Sequence, residues 1–310
     1  MSALVYGSMI TILCLGFTLT HMTAKIPNFA HGTYAGYGVY VVWTFSRMWN
    51  LNPYLGFPVA LLVGALIGII LYTVVVSTLR KMGGGAIVLT IATIALGIFL
   101  EQGLHVYAYW ARENYGLMSY GFLLKQNDFR FLGFQGIFPV ALILVTAVVI
   151  ILHKMLTGTN FGIAMRATAE DPTLASILGI NTNRIQLASW AMTGGMAALA
   201  GAMLPMWFMG SPVAGVSLLV STMAGSLLGG LDNIYGAVIG GFTVGLVEII
   251  LTSEMQTWFG LWVGEYRPLV PMILTIVILL IEPDGISGYI ERMRVQKTGP
   301  RILRRLLRSE

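Results

Sequence analysis

Charged side chains are scarce in this sequence. Only 10% of its 310 residues are Asp, Glu, Lys or Arg, whereas soluble domains carry about 25%. Hydrophobic residues make up 56%, and apolar runs of roughly 18 residues or more recur along the chain. Because lipid offers no partners to backbone groups, such runs are expected to be helices, and the alternation typical of a membrane barrel is missing. The composition predicts an all-α polytopic membrane protein.

Cysteine and the common catalytic motifs are also scarce or missing. Cys14 is the single cysteine, so no intrachain disulfide can form. Histidines are few and scattered, at His21, His31, His105 and His153, and they indicate no metal site. The sequence has no GxxxxGK[ST] phosphate loop, no HExxH and no GxSxG. We therefore expect no catalytic residue, no metal and no cofactor on this chain, and we exclude a membrane protease or a self-contained ATPase.

Apolar segments account for most of the chain. Nine of them are candidate spans, which makes about eight to nine transmembrane helices: roughly 3–24, 28–46, 57–79, 84–101, 134–157, 185–209, 214–231, 235–252 and 267–283. With the polar segment 158–184 inside and all nine crossing, thirteen basic residues fall inside and five outside, as the positive-inside rule requires. If residues 28–46 re-enter instead of crossing, the N-terminus moves inside.

The net charge of +5 comes from the C-terminal tail. Residues 290–310 carry seven Lys or Arg and two Glu, and the rest of the chain is neutral. We expect residues 1–289 to form the membrane domain and 290–310 a basic tail, with residues 301–308 as an amphipathic helix on the cytoplasmic leaflet. This pattern indicates membrane lipid as a partner and not nucleic acid.

An aromatic-rich loop and two glycine-rich runs give two further patterns. The segment 102–133 is the longest expected external loop, and its many aromatic residues suit either an interfacial belt or a docking surface for an external protein. Glycine is dense at 32–40 and 223–241. Close helix packing explains this, but interrupted apolar segments in both halves of a chain also point to a transport pathway between repeats.

A short polar stretch between the spans carries clear helix signals. Asp171 is a good N-cap and Pro172 suits the first helical position. Leu174, Ile177 and Leu178 form one apolar stripe, and Gly179 suits a left-handed C-terminal residue. The sequence predicts a helix over 172–178, too short to be stable in water by itself. It must lie on lipid or in the groove of a cytoplasmic partner.

Three motifs stand in this order along the chain: IPNFAHGTYAGYG (26–38), FGIAMRATAEDPTLASILGIN (161–181) and GGLDNIYGAVIGGFTVGLVE (229–248). Together, and in family order, they resemble the branched-chain amino acid permeases of ABC importers. Pro27 stands where the family usually has Ile or Val, and Asp232 replaces a small residue. The length and short N-terminus look more like the H-type than the M-type subunit of these paired permeases.

This resemblance implies an ABC importer permease fold in the cytoplasmic membrane, with a cytoplasmic coupling helix. It implies as partners a second permease subunit (homologue or copy), two ATP-binding subunits that hold ATP and Mg²⁺, and an extracellular substrate-binding protein. The segment expected to couple to the ATPase consists of Glu170, Asp171, Leu174, Ala175, Ile177, Leu178 and Gly179.

Residues of the transport pathway are sought among polar groups and glycines at membrane depth. If the helix of the second apolar run is broken near His31–Gly38, its N-terminus would present free N–H groups to a substrate carboxylate. The candidates there are Asn28, His31, Gly32 and Gly36; a histidine bonded to backbone is the alternative for His31. Glu248 lies within a span, where burial is costly. It either contacts substrate or bonds to a neighbouring helix.

Two other functions fit parts of the pattern. A permease for urea, amides or monosaccharides belongs to the same superfamily, and an autonomous secondary carrier or channel is a different class. A carrier has no need of a capped docking helix, and the intramembrane acids are few for an ion-coupling relay. The leading hypothesis is therefore a permease subunit that imports branched-chain amino acids with the help of separate ATPases.

Overall fold

The computed structural model describes residues 1–131, 133–281, 285–288 and 293, and most of them are helical. The α-helices are, in chain order, Ser2–Ala24 (α1), His31–Trp43 (α2), Gly56–Leu71 (α3), Ser77–Lys81 (α4), Ala86–Tyr115 (α5), Ile137–Gly158 (α6), Asn160–Glu170 (α7), Pro172–Ile177 (α8), Thr182–Met203 (α9), Ala214–Gly229 (α10), Ile234–Phe259 (α11) and Leu269–Ile281 (α12). One short hairpin pairs Arg130–Phe131 (β1) with Phe134–Gln135 (β2).

The helix lengths confirm a polytopic membrane protein. Within the described residues, seven helices are long and apolar enough to cross a membrane. Helices α2 and α10 are shorter, and they occupy the second and seventh of the nine apolar segments found in the sequence. Tail residues 294–310, including the helix expected over 301–308, lie outside the described residues.

Two of the long helices extend well beyond the apolar segments that predicted them. Helix α5 was expected to end at residue 101 but continues to Tyr115, where Gly116 closes it in the left-handed conformation. Helix α11 was expected to end at residue 252 but continues to Phe259. An apolar run reports only the hydrocarbon core, about 30 Å thick, whereas a helix can continue into the interface. Nearly half of the expected external loop 102–133 is therefore helical.

The glycines of the second apolar run lie in a helix, and the non-helical residues precede that helix. Residues 25–30 are not helical, and α2 is a regular helix from His31 onwards. Thr93 of α5 accepts a hydrogen bond from the backbone of Phe29 (3.2 Å), and Thr33 donates to the carbonyl of Gly97 (3.2 Å). Helix α2 thus begins beside the first half of α5 and runs alongside it in the same direction. The predicted irregularity within His31–Gly38 is wrong.

Glycines in this bundle serve mainly as contact points between helix backbones. A methyl group at Gly38 would overlap the carbonyl of Ala198 in α9, and one at Gly64 would overlap that of Gly194. Between α10 and α11, Gly229 stands equally close to Gly236. The close approach supplies packing energy that exceeds the low helix propensity of glycine, which explains why α2 stays helical.

The two halves of the bundle pack in a reciprocal pattern. Helix α1 packs on α11 as α9 packs on α3, and α2 packs between α9 and α3 as α10 packs between α1 and α11. Helices α1 and α9 are antiparallel, since Thr20 bonds to Thr193 (2.6 Å) and Thr23 to Ser189 (2.8 Å). The arrangement is that of an inverted repeat, with α1–α3 and α5 matching α9–α12.

Candidate coupling and transport sites

The short helix α8 forms almost as its end signals predicted. The Oδ1 atom of Asp171 accepts hydrogen bonds from the backbone N–H groups of Thr173 (2.7 Å) and Leu174 (3.0 Å), which caps the helix. The helix ends at Ile177, one residue earlier than expected, because Leu178 is the C-terminal cap residue. Gly179 then takes a φ of +84°, where a side chain would be strained.

The apolar stripe of α8 faces away from the rest of the chain. Leu174 is 55% exposed, Ile177 77% and Leu178 71%, whereas Ala175 is buried against the bundle at 2%. Helix α8 packs on α7 and α9 through its buried side. Large apolar side chains presented together on a polar segment mark an interaction surface.

Two features next to α8 were not predicted. Residues 160–170 form α7, which is capped by the Thr159 hydroxyl accepting from the Gly162 N–H (3.0 Å). Thr159 is a good N-cap residue, so it was the signal in the sequence that could have predicted α7. Glu170 is consequently the last residue of α7 and exposed, not part of the first turn of α8. Its charge does not favour the α7 C-terminus, where cations are preferred.

Asn28 and His31 are buried at the start of α2. Both are at most 1% exposed. The Asn28 Oδ1 accepts from the backbone of Ala30 (3.1 Å), and the Ala30 carbonyl accepts from Thr33 (3.0 Å). The His31 Nε2 lies 3.0 Å from the Leu13 carbonyl of α1. These local bonds replace the free N–H groups expected at this helix end, and the alternative of a backbone-bonded histidine is the observed one.

Gly32 and Gly36 bring α2 against other helices. Side chains at Gly32 would overlap the carbonyl of Gly215 in α10, and side chains at Gly36 would overlap Leu104 of α5. The starts of α2 and α10 therefore meet inside the bundle, one from each half of the chain. Residues Asn28, His31, Gly32 and Gly36 lie together at this junction.

Glu248 lies near the end of α1 opposite to α8, where the Tyr6 hydroxyl also reaches Ser221 of α10 (3.4 Å). It is 2% exposed, and its Oε1 accepts hydrogen bonds from the Tyr6 hydroxyl of α1 (2.9 Å) and from the Arg267 Nε (2.7 Å). The bond to a neighbouring helix, which was one of the two alternatives, is thus present. Because α11 continues to Phe259, Glu248 lies about three turns from the helix end.

Arg267 completes this site and was not selected from the sequence. Its guanidinium carbon lies 4.0 Å from the ring centroid of Tyr6 and 5.5 Å from that of Phe208, so the cation is stacked on aromatic faces as well as ion-paired. A signal existed. Arg267 is the only Lys or Arg between Arg184 and Arg292, and a buried carboxylate needs a cation.

A second arginine cluster lies at the α8 end of the bundle. Arg80 donates to the side-chain oxygen of Gln186 in α9 and to the backbone carbonyl of Ala24 (3.2 Å). Tyr72 also donates to Gln186 (3.0 Å) and, through the same hydroxyl, reaches Asn183 (2.7 Å). The partners of Arg80 in this cluster are thus neutral groups, unlike those of Arg267.

The family model and the relatives matched over most of the chain agree on one family. The family model described as "branched-chain amino acid transport system / permease component" matches residues 1–279. A relative from Methanocaldococcus jannaschii, the probable branched-chain amino acid transport permease protein LivH, is 36% identical over 92% of this chain and 90% of its own. The LivH protein of the high-affinity system of Escherichia coli is 28% identical over 91% and 92%.

One solved structure supports the fold alone. PsaBC from Streptococcus pneumoniae, determined in complex with Fab, matches with a TM-score of 0.50 and 14% sequence identity, covering 94% of both chains. At that identity the match concerns only the arrangement of the helices.

Proposed function

This chain belongs to the permease components of branched-chain amino acid transport systems, and we propose that it works as one of two permease subunits of an ATP-driven importer. It is a transport subunit rather than an enzyme, and a multi-pass protein of the cytoplasmic membrane. The complex that we propose adds a second permease subunit (homologue or copy), two ATP-binding subunits holding ATP and Mg²⁺, and an extracellular substrate-binding protein.

The observation that carries this proposal is the exposed apolar face of α8. Leu174 and Ile177 of this six-residue helix, together with its C-terminal cap residue Leu178, present three large aliphatic side chains. A helix this short is only marginally stable by itself, so its defined ends and exposed apolar face suit binding in a partner's groove. We propose that this groove belongs to an ATP-binding subunit and that α8 transmits the motion of that subunit to the membrane domain.

The acids beside α8 have different parts in this proposal. Asp171 caps the helix through one carboxylate oxygen, so its first role is to keep α8 folded. Glu170 is exposed at the end of α7, where it is available to a basic residue of the partner. Gly179 lets the chain turn away immediately after α8, which leaves the apolar face free to dock.

The α8 end is proposed to be cytoplasmic. Arg80 and Gln186 lie at this end together with Lys25, which forms an ion pair with Asp232 (2.9 Å). Basic residues gather on the cytoplasmic side of membrane proteins. Tyr6, Glu248 and Arg267 would then face the outer side, where the substrate arrives.

We propose that the transport pathway passes through the junction of α2 and α10, and that Asn28, His31, Gly32 and Gly36 are its residues there. Support comes from the burial of the two polar residues and from the meeting of one short helix from each repeat, a common place for a transport site. The same residues are tightly packed, so this would be a closed conformation. Glu248 is proposed as the pathway residue of the outer end.

The coupling role is tested by two variants of α8 and one control. Leu178→Ala should lower ATP-dependent leucine uptake while the membrane domain stays folded, because burying one Leu is worth roughly 1.5–3 kcal/mol and this side chain is exposed without a partner. Gly179→Val should be worse, because a β-branched residue resists a positive φ. Ile150→Ala, an exposed aliphatic position of α6, is the matched control and should leave uptake unchanged.

Uptake, ATP hydrolysis and membrane insertion are measured for all three variants. Loss of uptake with normal insertion in the two α8 variants, but not in Ile150→Ala, is the expected result. If both α8 variants insert normally and retain wild-type ATP-dependent uptake, the coupling role must be abandoned. If Leu178→Ala only loosens membrane contact, α8 lies on lipid instead.

A further inference from the structure

A cavity of about 180 Å³ lies between α11 and α12, at the outer end of the bundle. Its lining is largely aliphatic, and three lining residues carry polar side-chain atoms: Thr252, Tyr266 and Arg267. The aliphatic part includes Leu251, Met255, Ile273 and Leu274. A cavity with an apolar body and few polar groups has the composition of a small-molecule site.

Two buried oxygen atoms near this cavity lack partners. The Thr252 Oγ1, on the lining, and the Glu248 Oε2, one helical turn earlier on α11, make no hydrogen bond to any residue that the structure describes. Thr252 is 6% exposed and Glu248 2%. Leaving such groups unsatisfied is costly, so a ligand that donates hydrogen bonds would relieve a real deficit.

Arg267 is fixed on one side and borders the cavity on the other. Its Nε is bonded to Glu248, and its guanidinium lies over the ring of Tyr6. Its side chain also forms part of the cavity wall. A guanidinium that is held in place by a carboxylate and an aromatic ring is well prepared to bind a carboxylate.

We propose that this cavity is a binding site for a zwitterionic aliphatic amino acid. The aliphatic lining takes the branched side chain, Arg267 takes the carboxylate, and Thr252 with Glu248 Oε2 takes the ammonium. This inference rests on the proposed function, because it assigns that function's substrate class to a site. It adds Arg267 and Thr252 as specificity-determining residues of the permease itself.

Each part of the ligand meets a different group. A lipid acyl chain would fill the apolar lining but leave Thr252 and Glu248 unsatisfied, and a simple carboxylate would leave them so too. An amine without a carboxylate would lie beside a cation. An amino acid is the small aliphatic molecule that supplies donor, acceptor and apolar body together.

The test uses the full chain, purified with its copurifying subunits in lipid nanodiscs, and saturation-transfer NMR with L-leucine as the probe. Leucine should bind, whereas 4-methylpentanoate, which lacks the ammonium, and 3-methylbutylamine, which lacks the carboxylate, should each bind roughly tenfold more weakly. Met255→Trp fills the cavity and should abolish the signal. Ile250→Trp is the matched control on the same helix, away from the lining, and should retain it.

A conservative variant separates recognition from folding. Thr252→Val keeps the shape and removes the hydroxyl, so it should weaken leucine by about tenfold while leaving 4-methylpentanoate unchanged. Equal binding of leucine to wild type and Met255→Trp, or no leucine signal in wild type, overturns the site. Failure of this site while ATP-driven uptake persists leaves the proposed function intact; loss of ATP-driven uptake in wild type is a failure of the function itself.

Discussion

Arg80 and Arg267 occupy corresponding places in the two halves of the bundle but have different partners. Each follows the third helix of its repeat and reaches the first helix of the other: Arg80 contacts Gln186 of α9, and Arg267 stacks on Tyr6 of α1. Arg80 bonds an amide and a backbone carbonyl, whereas Arg267 pairs with the buried carboxylate of Glu248. One fold position thus carries a neutral cluster at one end and an ion pair at the other.

The different partners of the two arginines indicate different roles for the polar groups at the two ends of the bundle. The Arg80 cluster connects α1, α4 and α9, and α9 begins just after α8, so its bonds suit a rigid connection to α8. A buried ion pair is weak evidence for stability, and charges at membrane depth commonly mark function. We therefore relate the Arg80 cluster to coupling and the Arg267 cluster to substrate.

The largest expected effect separates the two arginines. Arg267→Met leaves the Glu248 carboxylate buried without its cation, which should lower the free energy of unfolding by about 3–5 kcal/mol. Arg80→Met leaves only neutral acceptors short of one donor and should cost about 1–3 kcal/mol. Tryptophan fluorescence during thermal unfolding in nanodiscs measures both. Arg112→Met, an exposed position of α5, is the control; equal losses for Arg80 and Arg267 would remove the contrast.

A double variant isolates the charge from the shape. Glu248→Gln and Arg267→Gln should each destabilise the protein, and together they should destabilise it less than the sum, with an interaction energy of about 0.5–3 kcal/mol. The same cycle for Arg80→Gln and Gln186→Leu should give a smaller interaction energy, since this contact is not an ion pair. Additive effects at the outer pair would mean that the Arg267–Glu248 contact contributes little.

The smallest expected effect concerns the two tyrosines. Tyr6→Phe removes a hydrogen bond to a carboxylate and should cost about 1.5–3 kcal/mol, whereas Tyr72→Phe removes hydrogen bonds between neutral groups and should cost about 0.5–1.5 kcal/mol. Thermal unfolding of the two variants under one set of conditions compares them directly. A larger loss for Tyr72→Phe would contradict the stronger hydrogen bond expected for Tyr6 in the charged cluster.

Local signals predicted some elements closely. Asp171 and Gly179 defined α8 to within one residue, because capping and a positive φ depend on neighbours in the chain. The burial of Glu248 also followed from its position in an apolar run. The coupling role of α8 and the pathway role of Asn28, His31, Gly32 and Gly36 stay predictions.

Contacts between distant segments could not be predicted from the sequence. Propensity placed the break of the second run at its glycines, but the contact of Gly32 with Gly215 in the other half keeps that stretch helical. The pairing of Glu248 with Arg267 depends on the turn after α11, which brings a loop residue back onto the helix. The lengths of α5 and α11 depend on the interface beyond the apolar core.

The most direct test of the account is leucine uptake by the complex reconstituted in proteoliposomes. We predict that uptake requires ATP, the ATP-binding subunits and the extracellular binding protein, that isoleucine and valine compete, and that Leu178→Ala lowers uptake. Uptake that proceeds without ATP and follows a proton or sodium gradient would contradict it, because the chain would then act as an autonomous carrier and α8 would have no partner to receive.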